Sequence, residues 1–330
     1  MGAGLFELRR DAITGWWVAT VVDRQFQRGR FALAAEPVPD GASCQNCAQP
    51  PGEGIRVRTL KDYAFHTVGS LDEARELERS LAQVALSQAR ASGSWRAIVA
   101  PPGEHRPLHM VGRDVLVGML AQARAAIVES RSLGQTAYLQ VVQNWGRQAG
   151  AMTNHLCFDL YDLPQVPHRV GEEIGGAARC VIREGECPYC RLVREESRAG
   201  VRLVWQDDSS VAFAPFASRS AFEVWVVPRR HAADFGRAED PDLRSTAEAL
   251  RQVLGRLARL DGPPHNLVLH TAPLRERVEG TYHWHWEIHP RLREIAGLEL
   301  GTGLPVNPVS PEEAVEELLR HASNAAVEEQ

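Results

Sequence analysis

Residues 154 to 164, NHLCFDLYDLP, alternate polar and apolar side chains in the manner of a half-buried β-strand. Successive residues of a strand point to opposite faces. The segment therefore predicts one face bearing His155, Cys157 and Asp159, and an opposite apolar face packed on a core. An imidazole, a thiol and a carboxylate on one face indicate metal binding or chemistry in addition to folding.

The same alternation returns near the other end of the chain, in residues 282 to 292, YHWHWEIHPRL, where His283, His285 and Glu287 share a face. Each of the two segments follows a C-x-x-C pair and a distant histidine, in that order. A recurring order of motifs indicates a duplicated module.

The boundary between the two modules is predicted near residues 165 to 186. We therefore predict two domains, one over residues 1 to 172 and the other over residues 173 to 330.

Each module contains two cysteines and two histidines, a set that suits a tetrahedral zinc ion. The first set is Cys44, Cys47, His105 and His155, and the second is Cys187, Cys190, His231 and His283. A lone C-x-x-C is a weak signal, and its recurrence with ordered histidines is a stronger one. The alternative is a buried or redox-active dithiol in each module, with histidines that are ordinary polar residues. We predict two zinc ions per chain.

Composition excludes several classes of protein. A hydrophobic content of 44% and a charged content of 24% are typical of a soluble globular protein. The net charge of -5 gives no general reason to expect a nucleic-acid-binding surface. The N-terminal residues lack the pattern of a secretion signal, and no apolar run approaches the roughly 20 residues of a membrane helix. We expect a cytoplasmic protein without nucleic-acid or membrane partners.

Local patterns predict strands and helices without regular β-α-β alternation, which favours an α+β fold. Predicted strands are residues 137–146, 201–206, 211–216, 221–228 and 265–273, which are rich in β-branched and aromatic residues. Predicted helices are residues 70–91, 113–134, 240–262 and 310–322, with Ser70, Asp240 and Ser310 as N-caps.

The sequence resembles the galactose-1-phosphate uridylyltransferase family of the histidine-triad superfamily, including its bacterial and ADP-sugar phosphorylase relatives. The resemblance covers nearly the whole chain and rests on these segments, in order: FELRRDAITGWWV, CQNC, QNWGRQAGAMTNH, CPYC, APFASRSAFEVWVVPRRHAADF, NLVLHTAP, YHWHWEIHPRL and GTGLPVNPVSPEEA. It implies two tandem histidine-triad-like modules, each an antiparallel half-barrel sheet with helices. It also implies a homodimer, and a metal site at each of the two sets given above.

Members of this family transfer a nucleoside monophosphate through a covalent histidine intermediate. The nucleophile is the second histidine of a His-Pro-His motif, and a phosphate-binding glutamine follows two residues later. In this chain the corresponding residues are His155, Leu156, Cys157 and Asp159. The attacking imidazole is therefore replaced by a thiol. A carboxylate at Asp159 repels phosphate unless it is protonated or paired with an arginine or a metal.

The resemblance also implies nucleotide-binding residues. Arg24 matches one of two arginines that the family uses near its N-terminus, while the second position holds Gln27 with Arg28 beside it. Asn144 keeps its place eleven residues before His155. We predict that Arg24, Arg28 and Asn144 bind a nucleotide or nucleotide sugar.

Three functions remain open. The first is a divergent nucleotide- or sugar-phosphate-related enzyme with Cys157, Asp159 and His155 as its catalytic residues. The second is the same fold used for chemistry other than nucleotidyl transfer on a biosynthetic intermediate, with a further polar cluster at His270, His285 and Glu287. The third is a non-catalytic binding or scaffold protein. The residues given no role are His66, His109, His168, His265, His289, His321 and Cys180.

Overall fold

The computed structural model of the protein describes residues 6–21, 47, 54–66, 90–132 and 136–325. The strands in these ranges are β1 (Phe6–Arg10), β2 (Trp17–Val21), β3 (Arg56–His66), β4 (Arg90–Val99), β5 (Tyr138–Trp145), β6 (Cys157–Leu163), β7 (Leu203–Gln206), β8 (Ser210–Phe213), β9 (Val224–Pro228), β10 (His265–His270), β11 (His285–Pro290) and β12 (Val306–Asn307). The α-helices are α1 (Arg113–Ser132), α2 (His168–Glu184), α3 (Pro188–Ala199), α4 (Asp240–Ala258), α5 (Gly297–Thr302) and α6 (Pro311–Ala325). The predicted α+β class is confirmed.

The central feature is a nine-stranded sheet in the order β3-β4-β6-β5-β10-β11-β9-β8-β7, with every neighbouring pair antiparallel. The order β3-β4-β6-β5 in the first half recurs as β8-β9-β11-β10 in the second, and β5 pairs with β10 where the halves meet. A second sheet of three strands has the order β1-β2-β12. The predicted division between residues 172 and 173 falls inside α2, and it stays a prediction.

One face of the large sheet forms the main hydrophobic core against α1 and α4. Phe158 of β6 and Trp286 of β11 are fully buried there, with ring centroids 5.8 Å apart. Leu116 of α1 and Leu250 of α4 belong to the same cluster. Because side chains alternate along a strand, the residues between these apolar ones project from the opposite face.

The helices show where sequence patterns succeed and fail. Those predicted over residues 113–134, 240–262 and 310–322 correspond to α1, α4 and α6. The hydroxyl of Ser310 accepts a hydrogen bond from the backbone N–H of Glu313 (3.3 Å), as an N-cap does. The N-cap of α4 is Glu239, so the prediction of Asp240 was wrong by one residue. None of the described helices is long and apolar enough to cross a membrane.

Two further corrections concern regions rich in glycine or alanine. Strand β4 begins at Arg90, so the helix predicted over residues 70 to 91 cannot reach its predicted end, and its remainder with Ser70 lies outside the described residues. Helix α2 was not predicted, because glycines interrupt its apolar periodicity. One of them, Gly176, is required by packing, since a Cβ there would lie 2.0 Å from the carbonyl oxygen of Ile13.

Candidate functional site

The sheet face opposite α1 and α4 carries polar side chains across its four central strands. Asn144 of β5 is directly opposite Asn266 of β10, which in turn is opposite His289 of β11. Directly paired residues project from the same face of a sheet. In the next row, Asp159 of β6 lies opposite Val142, on the same face. Strand pairing therefore assembles residues from both halves of the chain into one surface.

Asp159 is tied to this surface by two hydrogen bonds. Its carboxylate accepts from Nε1 of Trp95 (3.0 Å) and from Nδ2 of Asn144 (3.4 Å). Asn144 in turn accepts through Oδ1 from Nδ2 of Asn266 (2.6 Å). Burial raises the pKa of Asp159, and the bond from Trp95 opposes this. Asp159 is thus held by two neutral donors.

Cys157 begins strand β6 and is half-buried, without a disulfide. His155 lies before the strand and is 2% exposed. The strand predicted from residue 154 therefore starts later than expected. His155 belongs to a metal-type cluster.

That first cluster consists of Cys47, His105 and His155. The Sγ atom of Cys47 lies 3.3 Å from Nε2 of His105 and 3.3 Å from Nδ1 of His155. The Nε2 atom of His155 donates to the carbonyl oxygen of Ala100 (3.0 Å), so the lone pair lies on Nδ1, which faces the thiol. Burial lowers the pKa of His155, so the neutral, ligating form is favoured. The predicted fourth member, Cys44, lies outside the described residues.

The second cluster contains all four predicted members, Cys187, Cys190, His231 and His283, with donor atoms within 4.8 Å of one another. Cys187 is the N-cap of α3 and Cys190 lies in its first turn. The hydrogen bond from Cys190, opposed by burial, lowers the pKa of Cys187 to about 4, and His283 adds to the effect. Nε2 of His231 donates to the carbonyl oxygen of Glu279 (2.6 Å), which again directs Nδ1 at a cysteine, 3.2 Å from Sγ of Cys190. Two thiols and two oriented imidazoles can coordinate a tetrahedral cation.

A third polar cluster surrounds Glu287, which is 1% exposed. Its carboxylate lies 2.7 Å from Arg219, 3.3 Å from Arg169 and 3.0 Å from Nε2 of His289. Burial raises the pKa of Glu287, but the charges of Arg219, His270 and Arg169 outweigh it and hold the pKa well below the usual range. Glu173, His270, His285 and Glu287 also place donor atoms close enough for a metal. We assign no metal here, because two guanidinium groups already balance the charge of Glu287.

A cavity of about 730 Å³ opens above this part of the sheet. Its floor is formed by Val142, Asn144, Asn266 and Val268. Its wall includes four arginines and one histidine, which are Arg169, Arg219, Arg291, Arg293 and His289. The volume is that of an ordinary small-molecule site. Arg169, Arg219 and Arg293 are paired with carboxylates. Arg291 has no carboxylate partner among the described residues, and it favours an anionic ligand.

The structure brings together some of the predicted site residues. Asn144 is on the cavity floor and contacts Asp159, whereas Cys157 and Asp159 do not line the described part of the cavity. Arg24 and Arg28 lie outside the described residues. The cationic wall and His289 were missed. The sequence feature that could have indicated His289 is its position two residues after Glu287, where it continues the alternating series His283, His285, Glu287.

No model of a known protein family matches the chain. The chain is similar in sequence to the following two proteins. ADP-glucose phosphorylase of Arabidopsis thaliana is 28% identical over 335 residues, which cover 96% of this chain and 93% of that protein. Galactose-1-phosphate uridylyltransferase of Thermotoga maritima is 28% identical over 190 residues, which cover 55% of this chain and 59% of that protein.

Solved structures share the fold over almost the entire length. A crystal structure of ADP-glucose phosphorylase from Arabidopsis thaliana with bound ADP-glucose has a TM-score of 0.71 and 24% identity, covering 95% of this chain and 98% of that chain. A structure of a uridylyltransferase has a TM-score of 0.72 and 25% identity, covering 95% and 97%. These similar proteins bear the names of enzymes.

Proposed function

Because the chain belongs to the galactose-1-phosphate uridylyltransferase family of the histidine-triad superfamily, we propose that it is a nucleotidyltransferase-like enzyme that acts on a nucleotide sugar. The observation that carries this proposal is the arginine-walled cavity whose floor includes Asn144. Arginine matches the geometry of phosphate oxygens. The ADP-glucose bound in the similar Arabidopsis protein supports the same class of ligand.

Substrate turnover tests the proposal. We expect the protein to release glucose 1-phosphate from ADP-glucose or UDP-glucose, with inorganic phosphate or galactose 1-phosphate offered as the acceptor. Chromatography of the nucleotide and sugar products measures this release. If no pair of donor and acceptor gives product, the proposed activity is wrong.

Asn144→Ala should weaken nucleotide-sugar binding. The change removes the amide that donates to Asp159 and accepts from Asn266, and it removes a polar group from the cavity floor. A hydrogen bond contributes about 0.5 to 1.5 kcal/mol, and about 1.4 kcal/mol changes affinity tenfold. We therefore expect roughly tenfold weaker binding of ADP-glucose or UDP-glucose by calorimetric titration. Gln252→Ala, on the exposed side of α4 and away from the cavity, is the control, and equal affinities of the two variants would contradict this role of Asn144.

Cys157 occupies the position at which the family carries its nucleophilic histidine. A thiolate is an effective nucleophile, although free cysteine is also a common inert core residue. Asp159 on the same strand accepts hydrogen bonds from two neutral donors, Trp95 and Asn144, which supports a reaction that differs from the family's covalent route.

We expect that the wild-type protein, incubated with labelled ADP-glucose or UDP-glucose, carries no nucleoside monophosphate on histidine. Intact-mass analysis followed by peptide mapping is the measurement. An adduct on a histidine would overturn the assignment of Cys157 to the nucleophile position, whereas an adduct on Cys157 would identify a thiol nucleophile. Cys157→His is the companion variant, because an adduct that appears only in it would show that the surrounding pocket still directs the family's chemistry.

We further propose one zinc ion per module. The support is the orientation of the imidazoles, since His155 and His231 each donate one ring nitrogen to a backbone carbonyl and turn the other towards a cysteine. Cys44 would complete the first site as its fourth ligand. A site closed by four protein ligands serves folding, because no position is left for water or substrate. Homodimer formation and cytoplasmic location stay predictions.

A further inference from the structure

His289 and Glu287 form a carboxylate–imidazole pair at the wall of the cavity. The Nε2 atom of His289 lies 3.0 Å from Oε2 of Glu287, and the His289 side chain is 17% exposed. Nε2 also lies 3.3 Å from Nη2 of Arg219, which can only donate, but the contact with the carboxylate is the shorter of the two. We therefore assign the proton to Nε2, which donates it to Glu287 in a charge-assisted hydrogen bond. The lone pair then resides on Nδ1. Such a pair fixes the ring and its tautomer, as the buried carboxylate does in hydrolytic triads.

Glu287 is itself held in place from several sides. Arg219 and Arg169 contact its two oxygens at 2.7 Å and 3.3 Å. Nε2 of His270 lies 3.4 Å from Oε2, and Nε2 of His285 lies 3.7 Å from Oε1. A carboxylate with so many fixed neighbours cannot swing away when His289 gains a proton. The pair therefore has the rigid support that acid–base groups require.

Arg291 supplies an anion-binding group next to His289. Both side chains line the cavity, and they are two residues apart where β11 ends. Residues two apart in an extended chain lie about 7 Å from each other on the same face. Among the described residues, no carboxylate pairs with Arg291, whereas Arg293 is paired with Glu299. A phosphate bound by Arg291 would thus lie beside Nδ1 of His289.

We propose that His289 is the general base for direct transfer at the α-phosphorus of a nucleoside diphosphate sugar, which rests on the function proposed above. An oxygen of the acceptor, either inorganic phosphate or water, bonds to the α-phosphorus. The bond from that phosphorus to the bridging oxygen breaks, and the sugar phosphate leaves with the electron pair. The acceptor's proton passes to Nδ1 of His289. Glu287 is a positioning residue that balances the resulting imidazolium charge.

This route accounts for two features of the molecule. No covalent enzyme intermediate forms, so the absence of a histidine at position 157 is no obstacle to turnover. Asp159, which neutral donors hold on β6, takes no part in the proton transfer of this scheme. In this scheme the acid–base residue lies on β11, in the second half of the chain, and not on β6, in the first half.

The decisive experiment compares His289→Gln with His109→Gln in the turnover assay described above. Glutamine can still donate to Glu287, so the cluster around that carboxylate keeps its hydrogen bond. Removal of a general base costs about 100- to 10,000-fold in kcat, and we expect KM to change only a few-fold. His109 is a partly buried histidine in a separate surface pocket beside α4, and its replacement should leave kcat unchanged. Added imidazole should restore part of the rate of His289→Ala, because that variant leaves a space beside the cavity.

Two further readouts separate the possible results. A substrate with a chiral phosphorothioate at the α-position should give inverted product, since one displacement inverts phosphorus and two displacements retain it. Omitting phosphate separates the acceptors, because phosphate yields a nucleoside diphosphate and water yields a nucleoside monophosphate. The role of His289 is wrong, and the proposed function stands, if the wild-type protein turns over a nucleotide sugar and His289→Gln keeps the full kcat. The same holds if the configuration at the α-phosphorus is retained. If wild-type protein turns over no nucleotide sugar, both are wrong.

Discussion

Cys187→Ser is expected to lower the zinc content from two ions per chain to one and to cost the protein much of its stability. The apparent binding free energy of a structural zinc ion reaches about 10 to 16 kcal/mol in small zinc-dependent domains. An ordinary domain is stable by only about 5 to 15 kcal/mol, so losing even a third of the zinc contribution would matter. Elemental analysis and thermal unfolding of the purified variant measure the two effects.

The chain provides a matched control in Cys180→Ser. Cys180 is also a buried cysteine on a helix, but its Sγ contacts the carbonyl oxygen of Ala12 (3.7 Å) and it belongs to neither metal-type cluster. This variant should retain both ions. A wild-type protein with one ion or fewer after zinc supplementation would remove one of the proposed sites, and a Cys187→Ser variant with two ions would exclude Cys187 as a ligand.

Glu287→Gln is expected to destabilise the protein by about 3 kcal/mol, the lower end of the usual cost of removing one partner of a buried ion pair. Arg169 and Arg219 would face a neutral amide, although each keeps one other carboxylate partner, Glu173 and Glu223 respectively. Denaturation with urea measures the loss. Glu294→Gln, an exposed carboxylate at the same cavity, should change stability by less than about 1 kcal/mol. Equal stability of the two variants would show that the cluster around Glu287 contributes nothing to folding.

Acid should weaken the wild-type protein through the same cluster. Burial raises the pKa of Glu173, but the charges of His270 and Arg169 outweigh it and lower that pKa to about 2, from 4.5 in the absence of partners. A carboxyl group whose pKa is depressed by folding contributes stability above its unfolded pKa and loses it as pH falls towards the folded value. We therefore expect stability to drop between about pH 4.5 and 2, and Glu173→Gln should flatten that part of a titration followed by circular dichroism.

The metal-type clusters could be predicted from sequence because part of their geometry is local. A C-x-x-C turn brings two sulfurs together wherever the rest of the chain goes, and the repeated order of the histidines supplies the remainder. All four members of the second cluster were found in this way. The helices with regular apolar spacing, such as α1, were predictable for the same reason. Helix α2 was not predictable. Its Gly176 is required by close packing against Ile13, which is distant in sequence, so no local pattern indicates it.

The cavity could not be predicted, because its parts are brought together by strand register. Asn144 and Asn266 are 122 positions apart in the chain and hydrogen-bonded in the sheet. Arg219 and Arg291 come from two further segments of the second half, and no spacing rule connects them with Asn144. The motif that carries the family's nucleophile lies on the strand of Cys157, whereas His289 and Glu287 lie on β11 in the other half of the chain.

The pairing of β5 with β10 also has a consequence for how the chain reaches its native state. Contacts between residues far apart in sequence are slow to form, because a long loop must close before they contribute. Each half can pair its own strands first, so we expect the central seam between β5 and β10 to be the last part of the sheet to close. Until it does, β5 and β10 are both open edges that can pair with another chain. A ribosome-bound first half therefore presents β5 unpaired until β10 has been synthesised, and this is the interval in which a chaperone would be of most use.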